Sequence, residues 1–190
     1  MEKKDNHILL SDEELVQKIV NERETNLFRI LFDRYKGKVL DKCYSLLHNR
    51  ESAAEFTEDI LSKAYEKLPG FKGNSSFSSW LYSITYNHCI DYLREKKKLH
   101  YPEWNSRNEI PEIADDLEED LSEMHYSRLM NILEILHEEE KAMILMKYKD
   151  EMPVKDIAAA LRLSEGAVKM RIKRAKARLV FLYRKHYGDY

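Results

Sequence analysis

Apolar residues recur at helical spacing through most of this chain, and that regularity decides its fold class. From Thr25 to about His48, Leu27, Leu31, Tyr35, Val39, Cys43 and Leu47 stand four residues apart, with Phe28, Phe32 and Leu40 beside them. The spacing predicts one long helix with Gly37 as its weak point. Phe56, Ile60, Ala64 and Leu68 line a second helix that Pro69-Gly70 ends. A third is predicted from about Ser76 to Lys97, with Phe77, Trp80, Leu81, Ile84 and His88 as its inward stripe. Five Gly and four Pro in 190 residues leave too few turn formers for a β architecture. The expected fold is all-α.

Local signals say where these helices start. Ser11 with Glu14, and Ser52 with Glu55, have the form of capping boxes, in which a hydroxyl and a carboxylate satisfy each other's first-turn amides. The first predicts a short helix carrying Leu15, Val16, Ile19 and Val20. The second opens a helix whose polar face holds Glu55, Glu58, Asp59 and Ser62. On the third helix the side opposite the stripe presents Ser79, Tyr82, Ser83, Tyr86, Asn87, Arg94 and Lys97.

The pattern breaks between Leu99 and roughly Tyr126. Pro102 and Pro111 interrupt it, and Asp115, Asp116, Glu118, Glu119, Asp120 and Glu123 follow almost without basic residues. This predicts two small helical domains, 1–98 and 127–190, joined by an acidic flexible linker over 99–126.

The second domain carries the most informative motif. Val154 to Leu163 reads VKDIAAALRL, a short helix with Ile157, Ala158 and Leu161 inward, and Ala158 is small enough for another helix to cross closely. Ser164 then caps a helix whose buried stripe is Val168, Ile172, Ala175 and Leu179. These are the parts of a helix-turn-helix. Lys169, Arg171, Lys173, Arg174, Lys176 and Arg178 are predicted on its exposed side, and no acidic residue occurs between Gly166 and Tyr187. The chain's formal net charge of −2 hides this polarity. A charge run alone usually marks a solvated face; here the spacing of the two helices, Ala158 and Ser164 favour DNA. In that geometry the amino-terminal part of the second helix meets base edges, which singles out Lys169, Met170, Lys173 and Arg174.

Taken together, the segments AAEFTEDILSKAYEKL and FSSWLYSITYNHCIDYLREKKK and the terminal helix-turn-helix resemble, in order and spacing, the extracytoplasmic-function sigma factors across nearly the whole chain. The resemblance implies that Leu27 to Lys98 grips the polymerase clamp and melts the minus-ten element, and that Met130 to Tyr187 reads the minus-thirty-five element. It implies core RNA polymerase and promoter DNA as partners, and, as is common in the group, an anti-sigma protein. Glu55, Glu58, Asp59 and Ser62 would form the polymerase contact, with Glu58 standing where the family usually has Gln and Glu55 where Asp is common. Phe71, Lys72, Gly73, Asn74, Ser75 and Ser76 would hold an unstacked minus-ten base, with Tyr86, Asn87 and Arg94 beside them. Ser164, Glu165, Lys169, Met170, Arg171, Lys173, Arg174 and Lys176 would meet the minus-thirty-five duplex. Trp80, at the head of an apolar stripe, is assigned to the core. The acidic linker matches the family's variable connector.

Other classes fit less well. No Gly-rich phosphate loop, GxSxG or HExxH occurs, and the seven His show no ligand spacing, so neither an enzyme nor a bound cofactor or metal is expected. Cys43 and Cys89 fall inside apolar helical patterns and read as buried thiols, with His88 and Cys89 as a core pair. A helix-turn-helix regulator acting on duplex operators remains the alternative; it would require a sensor domain, and no alternating strand and helix pattern appears before residue 100. A helical adaptor that binds only protein leaves the basic helix unexplained. No apolar run approaches the ~20 residues of a membrane span and no secretion signal opens the chain, which predicts a cytoplasmic protein without membrane insertion.

Overall fold

The computed structural model describes residues 7–97 and 124–188, and all regular structure among them is helical. The chain divides into two compact units between Leu93 and Arg94. Most of the acidic segment predicted as a linker, 99–123, lies outside the described residues, as does Lys98.

The first unit begins with α1 (Asp12–Asn21). Its capping box is as the sequence predicts: Glu14 N donates to Ser11 Oγ at 3.2 Å and Ser11 N to Glu14 Oε2 at 2.7 Å. Leu15, Val16 and Ile19 bury one face. A 3-10 turn (Thr25–Leu27) leads into α2 (Phe28–Leu47), which passes Gly37 without a break. His48, at φ 52°, closes it in the left-handed region, so the chain turns at once into α3 (Arg50–Lys67). The predicted Ser52 capping box is replaced by a start three residues earlier. Asn49 is the cap, its side chain accepting from Ser52 N at 2.8 Å. The reason is local: once His48 leaves the helix, Asn49 is the first extended residue with an acceptor side chain.

α3 packs along α2, and α4 (Phe77–Lys97) closes the core against both. Cys43 and Cys89 bring their Sγ atoms to 3.7 Å, and Phe56 stacks obliquely on His88 and edge-on to Tyr92. Leu31, Val39, Leu46, Ile60, Leu81 and Ile90 are essentially inaccessible. Each such side chain stabilises the unit by roughly 1.5–3 kcal/mol relative to exposure. His88 is half-buried, and its pKa is lowered, first by desolvation and then by Lys63, whose Nζ lies 3.1 Å from Nδ1.

The second unit contains α5 (Tyr126–Ile135), α6 (Glu138–Ile144), a π turn (Leu145–Lys149), α7 (Val154–Leu161) and α8 (Glu165–Tyr187). α8 is its axis, contacting α5, α6 and α7. Ile132, Leu133, Leu136, Ile144, Leu179 and Tyr183 form much of its core. α6 also buries polar groups: Lys141 Nζ reaches Glu134 Oε1 at 2.7 Å, and Glu140 lies against Arg178 of α8 at 3.3 Å.

Candidate nucleic-acid and polymerase interfaces

The helix-turn-helix forms as its sequence predicts, except that its first helix ends two residues early, at Leu161 in place of Leu163, which lengthens the turn. α7 stops at Leu161 because Arg162 adopts φ 55°, and Leu163 N donates back to Ala158 O at 3.0 Å. Ser164 then accepts from Ala167 N at 3.2 Å as the cap of α8. Ala158 is buried, as are Val168, Ile172, Ala175 and Leu179.

The charged side of α8 is narrower than the sequence suggests. Ser164, Glu165, Lys169 and Met170 are exposed, and Lys173 and Arg174 are half-buried. Arg171 is half-buried, with its Nη1 3.4 Å from Glu139 Oε2 on α6. Lys176, predicted to be exposed, is only 8% accessible, its ammonium 5.6 Å from the centre of the Tyr148 ring. Arg178 is turned to Glu140. The correction has one cause: three helices surround α8, so its buried arc is wider than a single apolar stripe, and long aliphatic stems help to cover it. Among residues 164–178, full exposure is confined to Ser164, Glu165, Gly166, Lys169 and Met170, at the amino-terminal end.

In the first unit, the segment between α3 and α4 is built around aromatics. Phe71 is half-buried, 5.2 Å from the Trp80 ring centre and 6.3 Å from Phe77. Lys72, Gly73, Asn74 and Ser76 are exposed and Ser75 is half-buried. Gly73 has φ 68°, a left-handed turn residue where a side chain would be strained. Ser76 Oγ accepts from Ser79 N at 3.2 Å, and Glu13 of α1 accepts from Phe77 N at 3.4 Å, so two acceptors hold the start of α4.

α4 itself is rotated from the predicted register. Phe77, Leu81, Thr85, Tyr86, Cys89, Ile90 and Leu93 are buried. Tyr86, predicted as a DNA contact, is wholly inaccessible and Ser79 nearly so; packing against both α2 and α3 buries a broad arc that includes them. Trp80, Ile84 and His88, predicted inward, are half-buried, as are Asn87 and Arg94. At about 100° per residue, Trp80, Ser83, Asn87 and Arg94 share the arc away from the core. Sequence reasoning therefore missed that Trp80 is partly open on this arc, while its ring still packs on Phe71 and Phe77. The available signal was its seven-residue spacing from Asn87, two full turns.

On α3, Glu55, Glu58, Asp59 and Ser62 are all exposed, on one polar side. Glu58 accepts from Lys36 Nζ of α2 at 2.6 Å. Beside Ser62 an open cleft of about 830 Å3 lies between α2 and α3, lined partly by Phe28, Phe32, Leu61 and Tyr65. No cluster of metal-ligating side chains occurs among the described residues, and none of their helices is long and apolar enough to cross a membrane.

Comparison with known proteins adds to this geometry. Residues 31–99 match the model of Sigma-70 region 2, and residues 126–179 that of Sigma-70 region 4. The chain is 30% identical over 172 residues to the ECF RNA polymerase sigma factor SigW of Bacillus subtilis, covering 85% of this chain and 91% of that protein. It is 26% identical over 176 residues to the ECF RNA polymerase sigma-E factor of Escherichia coli, with 88% and 91% covered. Its fold is similar to that of CnrH, solved with the cytosolic domain of CnrY, at TM-score 0.59 and 20% identity over 90% of this chain and 96% of that one. It is also similar to RpoE of Bartonella quintana, solved with the anti-sigma factor NepR, at TM-score 0.55 and 18% identity over 80% and 93%.

Proposed function

The chain belongs to the extracytoplasmic-function group of sigma-70 factors, and from that premise we propose how its residues divide the work of promoter recognition. As a member of this family it binds core RNA polymerase and directs promoter-specific initiation of transcription; action as an operator-binding regulator is not favoured. Sigma factors are not enzymes, so its residues act by binding and positioning.

The observation that carries the assignment is the pairing of the two matched regions, in family order, with two separate helical units bearing different surfaces. Residues 1–98 form the polymerase-docking and minus-ten domain, and 127–190 the minus-thirty-five domain. Glu55, Glu58, Asp59 and Ser62 dock on the polymerase clamp, an assignment supported by their common exposure on α3. Phe71 to Ser76, with Asn87 and Arg94, hold the melted minus-ten strand. Exposed loop amides and hydroxyls, partly open aromatics and a cation suit an unstacked base. Tyr86 supports that face from the core and does not touch DNA. Ser164, Glu165, Lys169, Met170, Lys173 and Arg174 meet the duplex, with phosphates held by the cations and helix terminus and base edges read in the major groove. Arg171 and Lys176 brace α8.

The protein works in the cytoplasm and is held inactive by an anti-sigma partner. The second point is supported by the similar fold of RpoE, which was solved with the anti-sigma factor NepR. Reconstitution tests the whole reading: this chain with core polymerase alone should start transcription at specific promoters. Failure to bind core polymerase would overturn it. Co-purification from cells should recover a stoichiometric inhibitor.

A further inference from the structure

The recognition helix presents one large apolar side chain to water among cations. Met170 is 47% exposed, while Lys169 beside it is exposed and Lys173, one turn on, is half-buried. Met170 stands two residues after Val168 and two before Ile172, both buried, so at about 100° per residue it lies on the side of α8 turned away from the core. One turn earlier along that outward line is Gly166. A Cβ there would meet nothing within 4 Å, and its φ is not left-handed, so neither internal packing nor backbone geometry calls for glycine. A bare first turn gives another surface room to approach the helix closely. Isolated exposed apolar side chains are ordinary; this one sits where a helix-turn-helix meets base edges.

The chemistry of Met170 narrows what it can read. A thioether donates no hydrogen bond and accepts only weakly, so it cannot discriminate amino from carbonyl edges. The apolar group offered by bases in the major groove is the C5-methyl of thymine. We infer that Met170 is a specificity-determining residue that packs against a thymine methyl in the upstream promoter element, with Gly166 leaving the helix room to bring it there. The inference rests on the reading of α8 as the minus-thirty-five helix.

The test uses holoenzyme assembled from the full chain and core polymerase. Promoter duplexes are first enriched from a pool randomised over the upstream element. Thymines in the enriched element are then replaced singly by uracil, which removes the methyl and keeps the pairing edge. One replacement should weaken wild-type binding about fourfold, the equivalent of one buried methyl. The same replacement should leave Met170→Ala and Met170→Gln unaffected, while Met170→Leu keeps the sensitivity. At that position 5-methylcytosine opposite guanine should bind wild type more tightly than cytosine does, which separates the methyl from the thymine carbonyl. Insensitivity to every uracil, or a sensitivity that Met170→Ala retains, overturns the inference. Failure of the broader reading looks different: no upstream element is enriched, or Lys173→Ala and Arg174→Ala leave affinity unchanged, and this inference then falls with it.

Discussion

Glu140 should make the second unit less stable as pH rises through neutrality, and Glu140→Gln should remove that dependence. The carboxyl is 1% accessible, and its Oε2 has no hydrogen-bond partner. Burial pushes its pKa up from 4.5 to about 7; Arg178 opposes the rise and Glu139 adds to it. A carboxyl with a raised pKa holds its proton more tightly when folded. Its favourable contribution is therefore complete below about 4.5 and lost as pH climbs to about 7. A rise from 4.5 to about 7 corresponds to ~3 kcal/mol, about two orders of magnitude in an opening equilibrium. His137 acts in the opposite sense. Its pKa is lowered chiefly by desolvation, so its contribution is lost as pH falls below its ordinary range. The measurement is amide exchange of α8 peptides in the full chain, with wild type and Glu140→Gln compared at one pH at a time so that intrinsic rates and most of the His137 effect cancel. The variant should gain protection relative to wild type at pH 8 but not at pH 4.5. An equal difference at both pH values would show that Glu140 titrates normally and that its pairing with Arg178 offsets the burial.

Ser164→Ala removes the hydroxyl that accepts from Ala167 N, and should cost ~1 kcal/mol by chemical denaturation, with Ser164→Asp restoring most of it. Gly166→Ala should stabilise α8 by ~1 kcal/mol, since nothing crowds the new methyl, yet weaken duplex binding in a filter or fluorescence assay; tighter binding would show that DNA does not approach there. Asn87→Ala should leave duplex binding intact and reduce permanganate-detected opening, whereas Lys173→Ala or Arg174→Ala should weaken upstream binding by ~1 to 3 kcal/mol if each contacts a base. Cys43 and Cys89 are both inaccessible, and the contact with Cys43 together with burial pushes the Cys89 thiol up. Both should resist thiol reagents until the unit unfolds, and rapid labelling of the native protein would contradict the packing.

Helix existence was legible because it depends on local periodicity and caps. α1, α2, α7 and α8 could be placed from their apolar spacing, and Ser11 and Ser164 cap as their neighbours dictate. Helix orientation was less legible, because it depends on how many neighbours a helix has. A stripe model allows one buried face. α4 meets both α2 and α3, so Tyr86 is buried while Trp80 is left half-open; α8 meets three helices, so Lys176 is covered. Asn49 displaced Ser52 as a cap for a similar reason. The preceding helix closes at His48, and that closure sets the residue at which the next can begin.

Under the proposed division of work, α8 does two jobs. The buried stripe of α8 sets its rotation about its own axis, and in that register Arg171 and Arg178 reach Glu139 and Glu140 of α6. That rotation decides which residues face away from the core, and it leaves Lys169, Met170, Lys173 and Arg174 near the open end. Basic residues here therefore divide by register. Those whose position turns them inward brace the angle at which the others are offered, so replacing Arg171 should disturb recognition through geometry, altering affinity for all upstream sequences alike. Replacing Arg174 should change which base is preferred. A panel of single-base variants of the upstream element, bound by holoenzyme carrying Arg171→Ala or Arg174→Ala, separates the two. A position-specific change with Arg171→Ala would place that side chain on the DNA and overturn its bracing role.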